Sequence, residues 1–171
     1  MASLRATTGH GWPIRQMPYA QPCDVEEYTV TASLETLAHH PFAETMKLRI
    51  DERSPGRSTC SIEVAPHIHH NPHRVAHGAV LYALAGTGMG TALYPTLDEG
   101  ESCVTIEIKI TYFRPAPAGI IRCETVLVNR ERTIANLESR LYLDDKLIAQ
   151  ANGNFAILRP KEQVVAASFA R

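Results

Sequence analysis

Between Val75 and Leu97 the chain carries no Asp, Glu, Lys or Arg. From Ala76 the text is AHGAVLYALAGTGMGTALY, apolar or small on every side, and Pro95 closes it. A helix with no polar face is stable only where other parts of the protein cover it all round. The rest of the chain must therefore supply a layer that surrounds one central helix. Gly86 and Gly90 stand in a GxxxG pair, so a membrane span is the competing reading. Three glycines break the run, and soluble-type strand patterns flank it on both sides, which argues against a span. The simpler reading of the glycines is close approach of a sheet to the helix backbone.

The flanking patterns have period two. Met46, Leu48 and Ile50 alternate with Lys47, Arg49 and Asp51. After Ser54-Pro55-Gly56, Cys60, Ile62 and Val64 alternate with Thr59, Ser61 and Glu63, which reads as a β-hairpin. Beyond the helix, Val104, Ile106, Ile108, Ile110 and Tyr112 alternate with Thr105, Glu107, Lys109 and Thr111, and Pro115 and Pro117 end the run. Three more strands follow, around Ile121–Leu127, Ala135–Leu141 and Leu147–Phe155, with a turn at Asp144-Asp145. Their short links predict an antiparallel meander. Two strands, one buried helix and four strands make an α+β layer architecture. Ser33 is a plausible cap for a further short helix over Ser33–His40.

The chain of 171 residues suits one domain. Residues 1–26, rich in Gly, Pro and Thr, read as a flexible extension, 27–160 as the folded domain and 161–171 as a tail. The N-terminus lacks the apolar run of a secretory signal. The formal net charge of -1 gives no field that would draw the chain to nucleic acid or an anionic membrane. Cys23, Cys60, Cys103 and Cys123 fit no CxxC spacing and read as buried free thiols of a reducing, cytoplasmic compartment.

The residues with most chemical promise lie where the helix begins. Ala76, His77 and Gly78 fall in or near its first turn, where unpaired N–H groups and the positive end of the dipole are presented. With no large side chain at Gly78, a backbone N–H there can hold a carbonyl oxygen as it becomes an oxyanion. Asn71 can orient water or substrate, or simply cap the loop. His67, His69, His70, His73 and His77 crowd eleven residues and raise the question of a metal. Pro72 breaks the helical spacing and no carboxylate stands between Glu63 and Asp98, so solvated loop histidines and no metal are expected. Arg114, Arg130 and Arg132 close strands and can meet phosphates or serve as solvated turn charges. No GxSxG or Walker loop is present, and Gly86-x-Gly88-x-Gly90 lies inside the helix rather than in a nucleotide loop.

These residues resemble the hotdog-fold acyl-CoA thioesterases of the PaaI-like (phenylacetic acid degradation) type. The resemblance spans roughly Glu35 to Pro160. It rests on Asn71 with His77-Gly78 six residues on, on LYALAGTGMGTALYPTL, on VTIEIKITYFRPAPAG and on AQANGNFAIL. It implies a curved antiparallel sheet wrapped around one long helix, and homodimers or dimers of dimers. It implies hydrolysis of an acyl-CoA thioester, with coenzyme A arriving as part of the substrate and no other cofactor. By the same resemblance, Gly78 supplies the oxyanion N–H beside His77, Asn71 places substrate or water, and Thr105 assists from the partner subunit.

One position departs from that pattern. Nine residues after His77, where the family carries an Asp or Glu that acts as nucleophile or base, this chain has Gly86; the second glycine of the usual HGG is Ala79. Glycine neither accepts a proton nor attacks a carbonyl. A weakened hydrolase and an acyl-CoA binder without turnover are both consistent with this. Glu107, read as sharing the strand face of Thr105, is the candidate replacement carboxylate.

Overall fold

The computed structural model describes residues 40–159. The extension 1–26, the expected helix over Ser33–His40 apart from His40 itself, Cys23 and the tail 161–171 lie outside them; His40 caps the next helix rather than ending one. The chain runs α1 (Pro41–Thr45), β1 (Leu48–Ser54), β2 (Arg57–Glu63), α2 (Pro66–His69) and α3 (Gly78–Leu93). It continues through β3 (Ser102–Tyr112), β4 (Ile120–Arg130), β5 (Ile134–Leu143) and β6 (Lys146–Leu158). All strand pairs are antiparallel, in the order β1-β2-β4-β5-β6-β3. The sheet curls so far that α3 touches all six strands. This is the hotdog arrangement.

Local chemistry explains the elements. Gly56, at φ +76°, turns the β1–β2 hairpin, and its N–H reaches the Ala92 carbonyl at 3.0 Å. Asp144 and Asp145 both have positive φ, the twist that a two-residue hairpin turn between β5 and β6 requires. The meander β4-β5-β6 expected from short links is present. Beneath α3 the inner sheet face alternates buried residues such as Ile121, Cys123, Leu137, Leu141, Ala149 and Ala151. Cys60, Cys103 and Cys123 are buried free thiols, and burial pushes their pKa up to about 11, 11 and 12.

His77 caps α3, which ends at Leu93 in a short 3-10 turn, Tyr94–Thr96, that contains Pro95. Three expectations are corrected. The helix is not covered all round. The sheet ends in two edges, β1 and β3, and along the uncovered stripe Ala79 and Tyr82 are exposed and Gly86, Thr87 and Gly90 half-buried. At about 100° per residue, Gly88 points away from Gly86 and Gly90. Of the three, Gly88 makes the close approach to the sheet: a Cβ there would lie 2.6 Å from Thr125 Oγ1, and Ser58 Oγ donates to its carbonyl at 2.7 Å. Among the described residues no helix is long and apolar enough to cross a membrane.

The third correction concerns β3. Its register against β6 shifts between Thr105, opposite Phe155, and Glu107, opposite Asn154. A bulge at Ile106 therefore turns Glu107 to the face opposite Thr105. Phe155 is buried, so Thr105 lies on the inner face, at an exposed position of the edge strand. Glu107 lies on the outer face, where its Oε1 accepts from Asn154 Nδ2 at 2.6 Å.

Candidate active site

The loop into α3 is pinned by its own polar groups. Asn71 Oδ1 accepts from the N–H of His73 at 2.9 Å and of Val75 at 3.4 Å, and its backbone N–H donates to the Val75 carbonyl. Arg74, at φ +60°, completes the turn. The N–H groups of Ala76 and His77 donate to Ala116 and His69, each at 2.8 Å. Asn71 thus spends its oxygen on the loop; its Nδ2 makes no hydrogen bond among the described residues.

The histidines do not behave alike. His69 is 1% exposed. Its Nδ1 accepts from Ala65 N–H at 2.8 Å, and its Nε2 donates to Met46 O at 3.0 Å. The reading of solvated loop histidines is therefore wrong for His69, which ties α2 to the segment before β1. The His70 ring reaches the Pro117 carbonyl at 2.8 Å, while His67 and His73 are exposed. Among the described residues no three His, Cys, Asp or Glu side chains gather as a metal site would need.

His77 caps α3 with its side chain, an imidazole in a place where Ser, Thr, Asp and Asn dominate. Its Nδ1 accepts from Ala79 N–H at 3.0 Å, which puts the ring proton on Nε2. Tyr112 holds the other side of the same peptide: its hydroxyl donates to the Gly78 carbonyl at 2.9 Å. The Gly78 N–H makes no hydrogen bond among the described residues. It remains an aligned donor at the positive end of a 16-residue helix. Glycine also suits the packing there: a Cβ would sit 3.1 Å from both the hydroxyl and the adjacent ring carbon of Tyr112, so the ring would have to give by a few tenths of an ångström. Gly78 and Tyr112 share an open cavity of about 420 Å³ with Leu81, Phe113 and Arg114. Tyr112 was not singled out from sequence. Its proximity to the helix start is set by β3–β6 pairing and leaves no local signal.

Gly86 lies eight residues further along α3, about 12 Å from Gly78 at 1.5 Å per residue. It borders a separate cavity of about 210 Å³ under the β1 edge. A Cβ at Gly86 would meet only Ile108 Cδ1, at 3.3 Å, and one at Gly90 would meet nothing within 4 Å. Ile50, Arg53, Thr87 and Tyr94 form much of the wall, and none of the lining residues is an acid.

The three arginines are not brought together. Arg114, exposed, borders the Gly78 cavity and donates to the Leu147 carbonyl at 2.6 Å. Arg130 is at the other end of α3 and donates to Glu101 Oε2 at 2.6 Å. Arg159 reaches Glu101 Oε1 at 2.9 Å, and the Asp98 N–H reaches Oε2 at 3.0 Å. That N–H, with the two guanidiniums, holds the Glu101 carboxyl below its ordinary pKa. Arg132 is exposed in the β4–β5 turn.

Residues 73–149 match the model of the thioesterase superfamily. The fold is similar to the TT0310 protein of Thermus thermophilus, at 32% identity and TM-score 0.64, covering 70% of this chain and 99% of that one. It is similar also to a mutant of the phenylacetic acid degradation protein PaaI from the same organism, at 30% identity and TM-score 0.65, covering 70% of this chain and 100% of that one. The thioesterase HI1161 from Haemophilus influenzae shares the fold at 22% identity and TM-score 0.69, over 80% of this chain and 97% of its own. No curated protein matches the chain.

Proposed function

This chain belongs to the thioesterase superfamily, in its PaaI-like hotdog branch, and from that membership we propose that it hydrolyses an acyl-CoA thioester to the free acid and coenzyme A. The observation that carries the reading is the unpaired Gly78 N–H, fixed from two sides by His77 and Tyr112. A thioester carbonyl placed on that N–H gains a preorganised donor where charge develops, an effect of about 10²–10³-fold per donor. Asn71 Nδ2 is free to orient water or substrate, and Arg114 is the best placed of the arginines for the phosphates of coenzyme A. The buried thiols fit a reducing, cytoplasmic compartment.

The site takes two copies of the chain. With about 12 Å between them, Gly78 and Gly86 of one α3 cannot both touch one carbonyl. A second copy against the open stripe and the β3 edge, where Val104 and Ile106 are exposed, would bring one copy's Gly78 toward the other's Gly86. Thr105 on that edge would then enter the shared pocket.

One observation favours a second reading, an acyl-CoA binder without turnover: no acid lines the cavity at Gly86. A positioned base contributes about 10²–10⁴-fold, so its absence leaves either a slow hydrolase or none. Thiol release from short, long and aromatic acyl-CoAs, measured beside Gly86→Asp, tests both. Turnover of the native chain that depends on Gly78 supports the hydrolase. Turnover by Gly86→Asp alone, with binding by the native chain, supports the binder. Neither binding nor release by either protein overturns both.

A further inference from the structure

We propose that the cavity beside Gly86 receives a carboxylate, so that the acyl group presented on coenzyme A ends in one; this rests on the acyl-CoA reading above. The polar groups on the wall are Arg53, His40, Thr87, Thr91 and Tyr94. Thr91 and Tyr94 turn their hydroxyls to Cys60 and Cys103, which leaves Arg53, His40 and Thr87 as donors for a ligand; none of the five is an acid. Arg53 has no carboxylate partner among the described residues, nor have Arg57, Arg74, Arg114 and Arg132; of these five only Arg53 lines this cavity. His40 Nδ1 accepts from Ala43 N–H at 3.0 Å, which leaves its Nε2 as the donor.

An uncharged, apolar acyl tail would strip water from these donors and return no acceptor, which is unfavourable. A carboxylate returns up to four lone-pair positions and matches the guanidinium fork. Ile50 and the bare backbone of Gly86 and Gly90 give the methylenes before it an apolar path. The glycine at 86 then has a positive role. An acidic side chain at 86 would project into the same small space and repel the incoming charge. Glycine removes that repulsion and leaves room.

The experiment uses two non-hydrolysable coenzyme A thioethers of equal length, S-(4-carboxybutyl)-CoA and S-pentyl-CoA, titrated into the full chain by calorimetry. The carboxylate thioether should bind about tenfold more tightly. Arg53→Met should abolish the preference. Gly86→Asp should reverse it, whereas Gly86→Asn, of the same size but neutral, should retain it; circular dichroism checks that each variant is folded. Equal affinity of the two thioethers, tighter binding of S-pentyl-CoA, or identical behaviour of the Asp and Asn variants would overturn the proposal. Thiol release from glutaryl-CoA and pentanoyl-CoA separates the two readings. A binding preference without release from either ester sinks the hydrolase and leaves the carboxylate receptor standing. Release from both esters without a binding preference does the reverse.

Discussion

The hydroxyl of Tyr112, at the end of β3, donates to the carbonyl of Gly78, the first residue of α3, at 2.9 Å. The two are 34 residues apart in sequence, and the tyrosine ring fills the space that a side chain at Gly78 would need. The first turn of the helix is thereby keyed to the strand that forms one edge of the sheet. His77 Nδ1 accepts from the N–H of the same peptide unit, so neither end of it is free to rotate.

Tyr112→Phe keeps the ring and deletes that hydrogen bond. A net loss of about 1 kcal/mol is expected, felt at the oxyanion donor more than in ground-state binding. The expected result is a kcat lowered about fivefold with KM within twofold and Tm within a few degrees. Gly78→Ala, which forces the ring away, should lose more activity than Tyr112→Phe. Steady-state kinetics on an acyl-CoA that the native chain or Gly86→Asp hydrolyses measure both.

Glu107→Gln should leave thiol release within twofold. The bulge at Ile106 puts Glu107 on the outer face with Asn154, away from Thr105. A loss of more than tenfold would show that this carboxylate does reach substrate.

Glu101 anchors the far end of the fold through Arg130, Arg159 and the Asp98 N–H. Its pKa is lowered in the folded state from an ordinary 4.5. The sign follows: its stabilisation is present above pH 4.5 and is lost as pH falls through the folded value. Glu101→Gln should therefore lower Tm at pH 7 and flatten the decline in Tm between about pH 5 and pH 3. Thermal melts of both proteins across that range check it.

Cys60, Cys103 and Cys123 hold their protons well above neutral pH because burial disfavours the thiolate. At pH 8 in native buffer these three should label far more slowly than in denaturant, by at least about a hundredfold. Peptide mass spectrometry after iodoacetamide treatment reads each site separately.

The central helix and the six strands were legible because their periods are long and clean, and a helix without charge dictates a wrapping sheet. The turn at Asp144-Asp145 was legible because two short polar residues between apolar runs tolerate positive φ. What stayed hidden was set by contacts distant in sequence. The bulge at Ile106 interrupts no alternation in the text, so Glu107 reads as a neighbour of Thr105 until β6 fixes the register. His69 reads like its exposed neighbours, and only the fold brings Met46 to its ring. Arg130 reads as free to meet phosphate because Glu101 precedes it by 29 residues. Around the candidate site, the place of His77-Gly78 at the helix start was legible from the helix boundary, whereas the approach of Tyr112 to Gly78 and of Arg53 to the Gly86 cavity was not.

The single extra residue at Ile106 divides β3 into two segments of opposite parity. Before it, the odd-numbered positions Cys103 and Thr105 face inward; after it, the even-numbered Ile108, Ile110 and Tyr112 do. Without the bulge, with Ile106 paired opposite Asn154, the upstream phase would carry through the strand, swapping Glu107 with its apolar neighbours and pulling Tyr112 off Gly78; deleting Ile106 instead would leave each of them on its present face. One unpaired residue thus puts Thr105 and Tyr112, seven positions apart, on the same face of the strand, which an unbroken alternation would forbid.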